Sequence, residues 1–351
     1  MRIAQVAPLW EPVPPPRYGA VETLVADLTG ELARRGHEVT VFASGDSSVT
    51  GLSAVCSGAL NHDGSLVEPE AYRLLQMRQV IDRAAEFDVI HSHLHSNTGC
   101  LGLLALTVLV TPVVHTVHCF FNSDNRSLFL RLAGERFVAI SADQRLSLPG
   151  LNYQATVHHG VDLSRIPFRE VPDSPPYLAF LGRLRPEKGA HLAIEVARRL
   201  RLPLKIAGRV KEVDRPYARQ MIKPHIDGHQ IEYLGELDHA SKLQLLGGAV
   251  ATLLPTTLPE PFGLVTIESM ATGTPVVGFD AGAFRELVAH GRTGFIARTM
   301  NDLTRYTRLA ARLDRGACRS RVATAFSLPH MVDQYEEVYQ EVRRPLIATP
   351  G

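Results

Sequence analysis

With 351 residues, 45% of them hydrophobic and 21% charged, the chain is long enough for about two domains and has the composition of a folded globular protein. A formal net charge of +1 gives no electrostatic footprint for nucleic acid. Four cysteines without a C-x-x-C pair speak against a disulfide framework or a zinc site, and for a reducing compartment.

The opening MRIAQVAPLW reads as a strand rather than a signal segment, with Arg2–Ala7 as its body. A proline-rich loop follows, in which Gly19 allows close approach of backbone to a ligand. Val21, Leu24, Val25, Leu28 and Leu32 then form one stripe of a helix that closes at Arg34-Arg35-Gly36, and Glu38–Ala43 is the next strand. This is a βαβ unit. Phe87–His95 and Thr111–Cys119 read as two further strands, with His91, His93 and His95 sharing one sheet face at period two. Such a row is a candidate metal site, but no carboxylate or cysteine completes a ligand set, and hydrogen bonding at a strand end is the simpler reading. His118 ends its strand, where ligands of α/β sheets bind; a hydrogen-bonded structural histidine is the alternative. The longest apolar run, Leu101–Val110, is too short to span a bilayer, so the expectation is a soluble, cytoplasmic protein. Asn125–Glu135 mixes arginines and leucines, which suits a helix covering the sheet better than one lying weakly on a membrane surface.

Prolines 167, 172, 175 and 176 mark a linker, and a second βαβ series begins at Tyr177. The predicted domains are therefore 1–170 and 171–326, with 327–351 containing a final helix. That helix carries Met331, Tyr335, Val338, Tyr339 and Val342 on one face, which requires burial. Alternating short strands and helices predict an α/β protein with a parallel sheet in each half.

Two stretches of the second half carry chemistry. Gly182-Arg-Leu-Arg-Pro-Glu-Lys-Gly189 leaves a strand and enters a helix, so Arg183, Lys188 and the helix-start N–H groups form a receptor suited to a diphosphate. It matches neither a Walker A loop nor G-x-G-x-x-G, which excludes a dinucleotide-dependent dehydrogenase. In Glu260-Pro-Phe-Gly-Leu-Val-Thr-Ile-Glu268 a loop leads into a helix near Gly263, where free N–H groups make an anion site. Glu260 lies just before this helix and Glu268 at the edge of its apolar stripe, so two acceptor carboxylates flank a donor-rich pocket.

The E-x7-E pair around Pro-Phe-Gly, the G-R-x4-K-G loop, the segment His115-Thr-Val-His118 and the strand end His159-Gly-Val-Asp162 together resemble retaining glycosyltransferases of family 4 over nearly the whole chain. Two departures stand out: Gly19-Ala20 replaces the family's two glycines, and His159 its usual asparagine. The resemblance implies the GT-B fold, two Rossmann-like domains facing across a cleft, the first on the acceptor side and the second binding the nucleotide sugar. It also implies a final helix that crosses back to the first domain. By the same resemblance, Arg183 and Lys188 grip the donor diphosphate, and Glu268 accepts from the nucleotide ribose. Glu260, with Phe262, Gly263 and Leu264, holds the transferred sugar; Gly19 lies at the donor; and His118 faces the reacting sugar. The implied reaction moves a hexose from a UDP- or GDP-sugar to a hydroxyl acceptor (a small molecule, a glycan or a lipid-linked group) with retention of configuration. No cofactor is expected, and with no Asp-x-Asp anywhere in the chain, neither is a metal. A nucleotide-sugar 2-epimerase and a non-catalytic nucleotide-sugar-binding subunit are the alternatives.

Overall fold

The computed structural model describes residues 1–17, 19–61, 67–93 and 102–343. His95, Cys100 and Leu101 lie outside the described residues. The chain forms two compact units, one of residues 1–160 and 328–351, the other of residues 161–327.

The first unit is built on seven strands: β1 (Arg2–Val6), β2 (Glu38–Ala43), β3 (Leu52–Ala54), β4 (Val89–Ser92), β5 (Val113–Thr116), β6 (Phe137–Ala139) and β7 (Tyr153–Thr156). Their order is β3-β2-β1-β4-β5-β6-β7, and every pairing is parallel. Parallel strands need crossover connections, which the intervening helices supply while they cover the sheet faces. The helix Ala20–Arg34 buries Leu24, Val25, Leu28 and Leu32, the stripe read from the sequence. The final helix, Leu328–Val342, buries Met331, Tyr335, Val338, Tyr339 and Val342 in the same cluster. Polar bonds pin the two helices at their edge: Arg35 Nη1 lies 2.5 Å from Glu336 Oε2 and 2.6 Å from Asp333 Oδ1. The helix read over Asn125–Glu135 runs from Ser123 to Arg131, because Asn122 and Asn125 form a reciprocal capping box that starts it earlier. Its inward anchor is Phe129, which meets Phe121 and Phe137 edge-on, while Leu130 is exposed.

The second unit has six parallel strands: β8 (Leu178–Leu181), β9 (Leu204–Ala207), β10 (Ile231–Tyr233), β11 (Ala251–Leu254), β12 (Val276–Phe279) and β13 (Gly294–Ala297). Their order is β10-β9-β8-β11-β12-β13. The proline-rich stretch read as a linker is bonded along this unit: Arg169 N–H donates to Thr272 O at 2.9 Å, and Asp173 N–H to Gly248 O at 2.9 Å. A buried arginine holds it from behind, since Arg315 donates to the carbonyls of Arg169, Ala249 and Gly247. The helix that presents Arg315, Arg315–Ala325, has a weak apolar stripe and escaped the sequence reading. No helix among the described residues is long and apolar enough to cross a membrane.

Each sheet reverses its winding once, between β1 and β4 in the first unit and between β8 and β11 in the second. Open α/β sheets bind ligands outside the carboxyl ends of the strands at such a switch point. The candidate residues cluster at these two places.

Candidate active site

In the second unit, β8 runs out into Gly182-Arg183 and a single 3₁₀ turn, Pro186–Lys188. Gly189 ends the turn at φ 74°, and a Cβ there would stand 2.2 Å from the Pro255 carbonyl oxygen. Glycine at this position lets the β8 loop lie directly on the loop leaving β11. Thr257 N–H donates to Glu187 O across the same seam at 2.8 Å. The result is an ion pair between Lys188 Nζ and Glu260 Oε1, with Thr256 Oγ1 donating to the same carboxylate at 3.4 Å. The loop after β12 clamps Glu260 from the other side. Ala283 N–H donates to its carbonyl at 3.1 Å, and a Cβ on Gly282 (φ 58°) would come within 2.3 Å of its backbone.

Gly263 caps the helix Leu264–Ala271 at φ 105°, and no side chain caps its first N–H groups. A carboxylate or phosphate oxygen is the natural partner of such a helix start. Phe262 is buried edge-on against Phe326, and Leu264 is half-buried in the first turn. Glu268, 9% exposed, is paired through Oε1 with Lys242 Nζ at 2.5 Å. Lys242 comes from the helix His239–Gly248, far from Glu268 along the chain, and no local spacing could have announced it.

Arg183 Nε faces Asp214 Oδ2 at 3.8 Å, beyond hydrogen-bond reach, and neither buried atom has a hydrogen-bond partner among the described residues. Leu184 N–H donates to Arg209 O at 2.9 Å, which brings the loops after β8 and β9 together. Burial, with the positive charges of Arg183 and Arg209 beside it, pushes the Lys211 ammonium below its ordinary value. Cations crowd here without enough carboxylate to balance them, the condition under which an anion binds. Lys211 was missed in the sequence, although its place at the end of β9, next to β8, follows from strand order.

In the first unit, Gly19 caps the helix Ala20–Arg34, and a Cβ on it would sit 2.6 Å from Pro15 Cγ. The glycine thus lets the proline-rich loop fold onto the helix start. That loop is held by neighbours rather than by its own backbone: Val13 N–H donates to Ser47 Oγ at 2.9 Å, and Val13 O accepts from Ser48 N–H at 2.9 Å. Glu22 is buried at the same helix start. Burial lifts its carboxyl to about 7, against its own backbone hydrogen bond and with a small push from Glu11. Its folded value lies above the ordinary 4.5, so the stability it contributes is full below that pH and lost as pH rises through about 7. The urea midpoint of the wild type should therefore fall by more than that of Glu22→Gln between pH 4.5 and 7. Parallel pH curves for the two proteins would contradict this.

His118 follows β5, half-buried, with His159 stacked on it at a ring separation of 5.3 Å. Burial, then the neighbouring His158, brings His159 down to about 3, so the ring at the family's asparagine position is neutral. His91 and His93 do share a face, with ring centroids 4.0 Å apart. Their nitrogens are taken by hydrogen bonds: His91 lies 2.7 Å from both Tyr339 Oη and Thr116 Oγ1, and His93 2.7 Å from Gln5 Oε1. Among the described residues no group of three His, Cys, Asp or Glu side chains is arranged to hold a metal ion.

Residues 165–313 match the family model described as glycosyl transferases group 1, and residues 20–165 match that described as glycosyltransferase family 4. The chain is 31% identical over 325 residues to a phosphatidyl-myo-inositol mannosyltransferase of Mycolicibacterium smegmatis, covering 84% of this chain and 80% of that one. It is 27% identical over 402 residues to a glycogen synthase of Mycobacterium tuberculosis, covering 98% and 95%. Among solved structures, the sucrose-phosphate synthase of Thermosynechococcus elongatus superposes with a TM-score of 0.80 at 17% identity, over 97% and 99% of the two chains. An Anabaena protein, HepE, solved in complex with UDP and glucose, superposes with a TM-score of 0.74 at 18% identity, over 97% and 100%. Two parallel Rossmann-like units, the motifs at their switch points and these matches agree: the chain is a glycosyltransferase with the GT-B fold and belongs to family 4, the glycosyl transferases group 1.

Proposed function

We propose that the protein transfers a hexose from a nucleoside-diphosphate sugar to a hydroxyl acceptor, with retention of configuration and without a metal ion. The observation that carries this reading is the gathering of Arg183 with Lys211, and of Lys188 with Glu260 beside the uncapped helix start at Gly263, in the loops that follow β8, β9 and β11. Fixed cations and oriented N–H groups can stabilise the charge that develops on a departing diphosphate. In this reading Arg183 and Lys188 meet the diphosphate, and Glu268, held by Lys242, accepts from the ribose hydroxyls. Glu260 and the backbone of Phe262, Gly263 and Leu264 take hydroxyls of the sugar. Gly19 and His118, on the first unit, serve the donor and the reacting sugar. The names of the relatives support a hexosyl donor: one is a mannosyltransferase, another a glycogen synthase.

A panel of UDP- and GDP-hexoses, each incubated with and without hydroxyl acceptors, tests the reading by product detection. Acceptor-dependent release of nucleoside diphosphate, with a product of retained anomeric configuration, is the expected result. A donor converted to its epimer without acceptor would replace transfer by isomerisation, and binding without turnover would leave only a binding subunit. Turnover should survive exhaustive treatment with EDTA, because the leaving-group charge is met by Arg183, Lys188 and the helix start. Complete loss of activity, restored by a single divalent ion, would defeat the metal-independent part.

A further inference from the structure

The helix Arg315–Ala325 carries three arginines that all donate to main-chain carbonyls of the second unit. Arg315 holds the stretch around Arg169, and Arg319 donates to the carbonyls of Leu163, Ile166 and Ala271. Arg321 has other partners. Its Nη2 donates to Glu286 O at 2.8 Å and its Nε to Leu287 O at 3.4 Å, the last two carbonyls of the short helix Phe284–Leu287. Carbonyls at a helix end have no intrahelical partner, and two neighbouring N–H groups of a guanidinium suit them. The same guanidinium carbon lies 5.0 Å from the ring centre of Phe326, a cation over an aromatic face.

These two contacts reach the stretch Glu260–Gly263 from both ends. Ala283, which caps the short helix, accepts from the Glu286 and Leu287 N–H groups at 2.9 and 3.3 Å and donates to Glu260 O at 3.1 Å. Leu287 is fully buried, and a Cβ built on Gly263 would meet its Cδ1 at 3.9 Å and Glu260 Oε2 at 3.4 Å. The short helix thus packs on the glycine and bonds to the backbone of Glu260. At the other end, Phe326 meets the buried Phe262 edge-on, with ring centres 6.2 Å apart at 75°. Protein interiors are close-packed, so a ring held in place fixes its neighbour. The other candidate donor contacts have separate supports. Lys242 holds Glu268, and Arg183 and Lys188 rise from the loop after β8.

We infer that Arg321 is a positioning residue for the hexose half of the donor: it fixes the stretch Glu260–Gly263 at both ends, through Phe284–Leu287 and through Phe326. It acts through these neighbours and not by touching the sugar. The consequence rests on the reading of Glu260 and the backbone of Phe262, Gly263 and Leu264 as the sugar's contacts. The phosphates and the ribose are assigned to residues with other supports. Loss of Arg321 therefore separates hexose recognition from nucleotide recognition.

Titration calorimetry with UDP and UDP-glucose, and with GDP and GDP-mannose, reads this separation. Arg321→Met keeps the apolar stem and removes the donors. Its affinity for the sugar nucleotide should fall about 10-fold, while that for the free nucleoside diphosphate should stay within about 3-fold of wild type. Its kcat should fall by roughly 10-fold or more, since a slightly misplaced substrate contact is costly in rate. Amide hydrogen exchange should quicken over residues 260–267 and 280–288 and stay unchanged over 183–189. Arg321→Lys keeps a cation able to reach one carbonyl, so it should show the same pattern at smaller size; it also decides the matter if Arg321→Met does not fold. Equal losses for both ligands, no loss for either, or exchange that quickens evenly over the second unit would overturn the inference. A wild type that binds neither pair would fail the sugar-transfer reading itself. A wild type that binds both members of a pair, with variants that do not separate them, would fail this inference alone.

Discussion

Replacing Arg183 or Lys188 by alanine should lower turnover by roughly 100-fold or more, the scale seen when one fixed stabiliser of a developing anion is removed. The two positions fail for different reasons. Arg183 supplies a planar guanidinium at the carboxyl end of β8, with Asp214 3.8 Å from Nε, too far to satisfy it. Its removal takes away a fork able to bind two phosphate oxygens. Lys188 supplies a point charge that also pairs with Glu260. Its removal leaves that carboxylate with Thr256 at 3.4 Å as its remaining side-chain partner among the described residues, so the sugar-binding loop should suffer together with the diphosphate grip. Lys188→Ala should accordingly raise donor KM as well as lower kcat. Initial rates over a range of donor concentrations measure both, and near-wild-type kinetics in both mutants would defeat the proposed phosphate site.

The second large effect is a division between binding and transfer. The candidate donor-binding side chains Arg183, Lys188, Glu260 and Glu268 belong to the second unit, while His118 belongs to the first. His118→Ala should leave affinity for the free nucleoside diphosphate within a few-fold of wild type and collapse sugar transfer. Glu268→Ala should weaken nucleotide binding by about 1–3 kcal/mol, the range for hydrogen bonds to a charged group. Part of that loss comes from Lys242, whose ammonium lies 2.5 Å from Glu268 Oε1 and loses its partner. Glu268→Gln should fall between the two, since the amide keeps an oxygen for the ribose but forfeits the charge. Calorimetry with the free nucleotide, set beside transfer rates, separates these effects. If His118→Ala lost nucleotide affinity as badly as Glu268→Ala, this assignment of roles would be wrong.

The strand–loop–helix alternation, the parallel character of both sheets and the apolar stripes of the first and final helices were all legible in the amino-acid sequence. These features depend on periodicity and on turn chemistry, which are local. So were the positions of the candidate residues. Glu260, Gly263, Arg183, Lys188 and His118 each sit at a strand exit or a helix start, and such positions can be read from a few neighbouring residues. What those side chains touch was not legible. Lys242 reaches Glu268 from another helix, Lys211 joins Arg183 because β9 lies beside β8, and Gly282 presses on Glu260 from the loop after β12. The histidine row shows the same limit from the other side. Its period of two placed His91 and His93 on one face, but a metal site and a hydrogen-bonded row look alike in one dimension. Gln5, Thr116 and Tyr339 supply the hydrogen bonds of His91 and His93, and they come from three elements far apart along the chain. Partners of this kind are fixed by strand order and helix docking, and strand order is settled by how whole faces bury against one another, not by the residues next to each side chain.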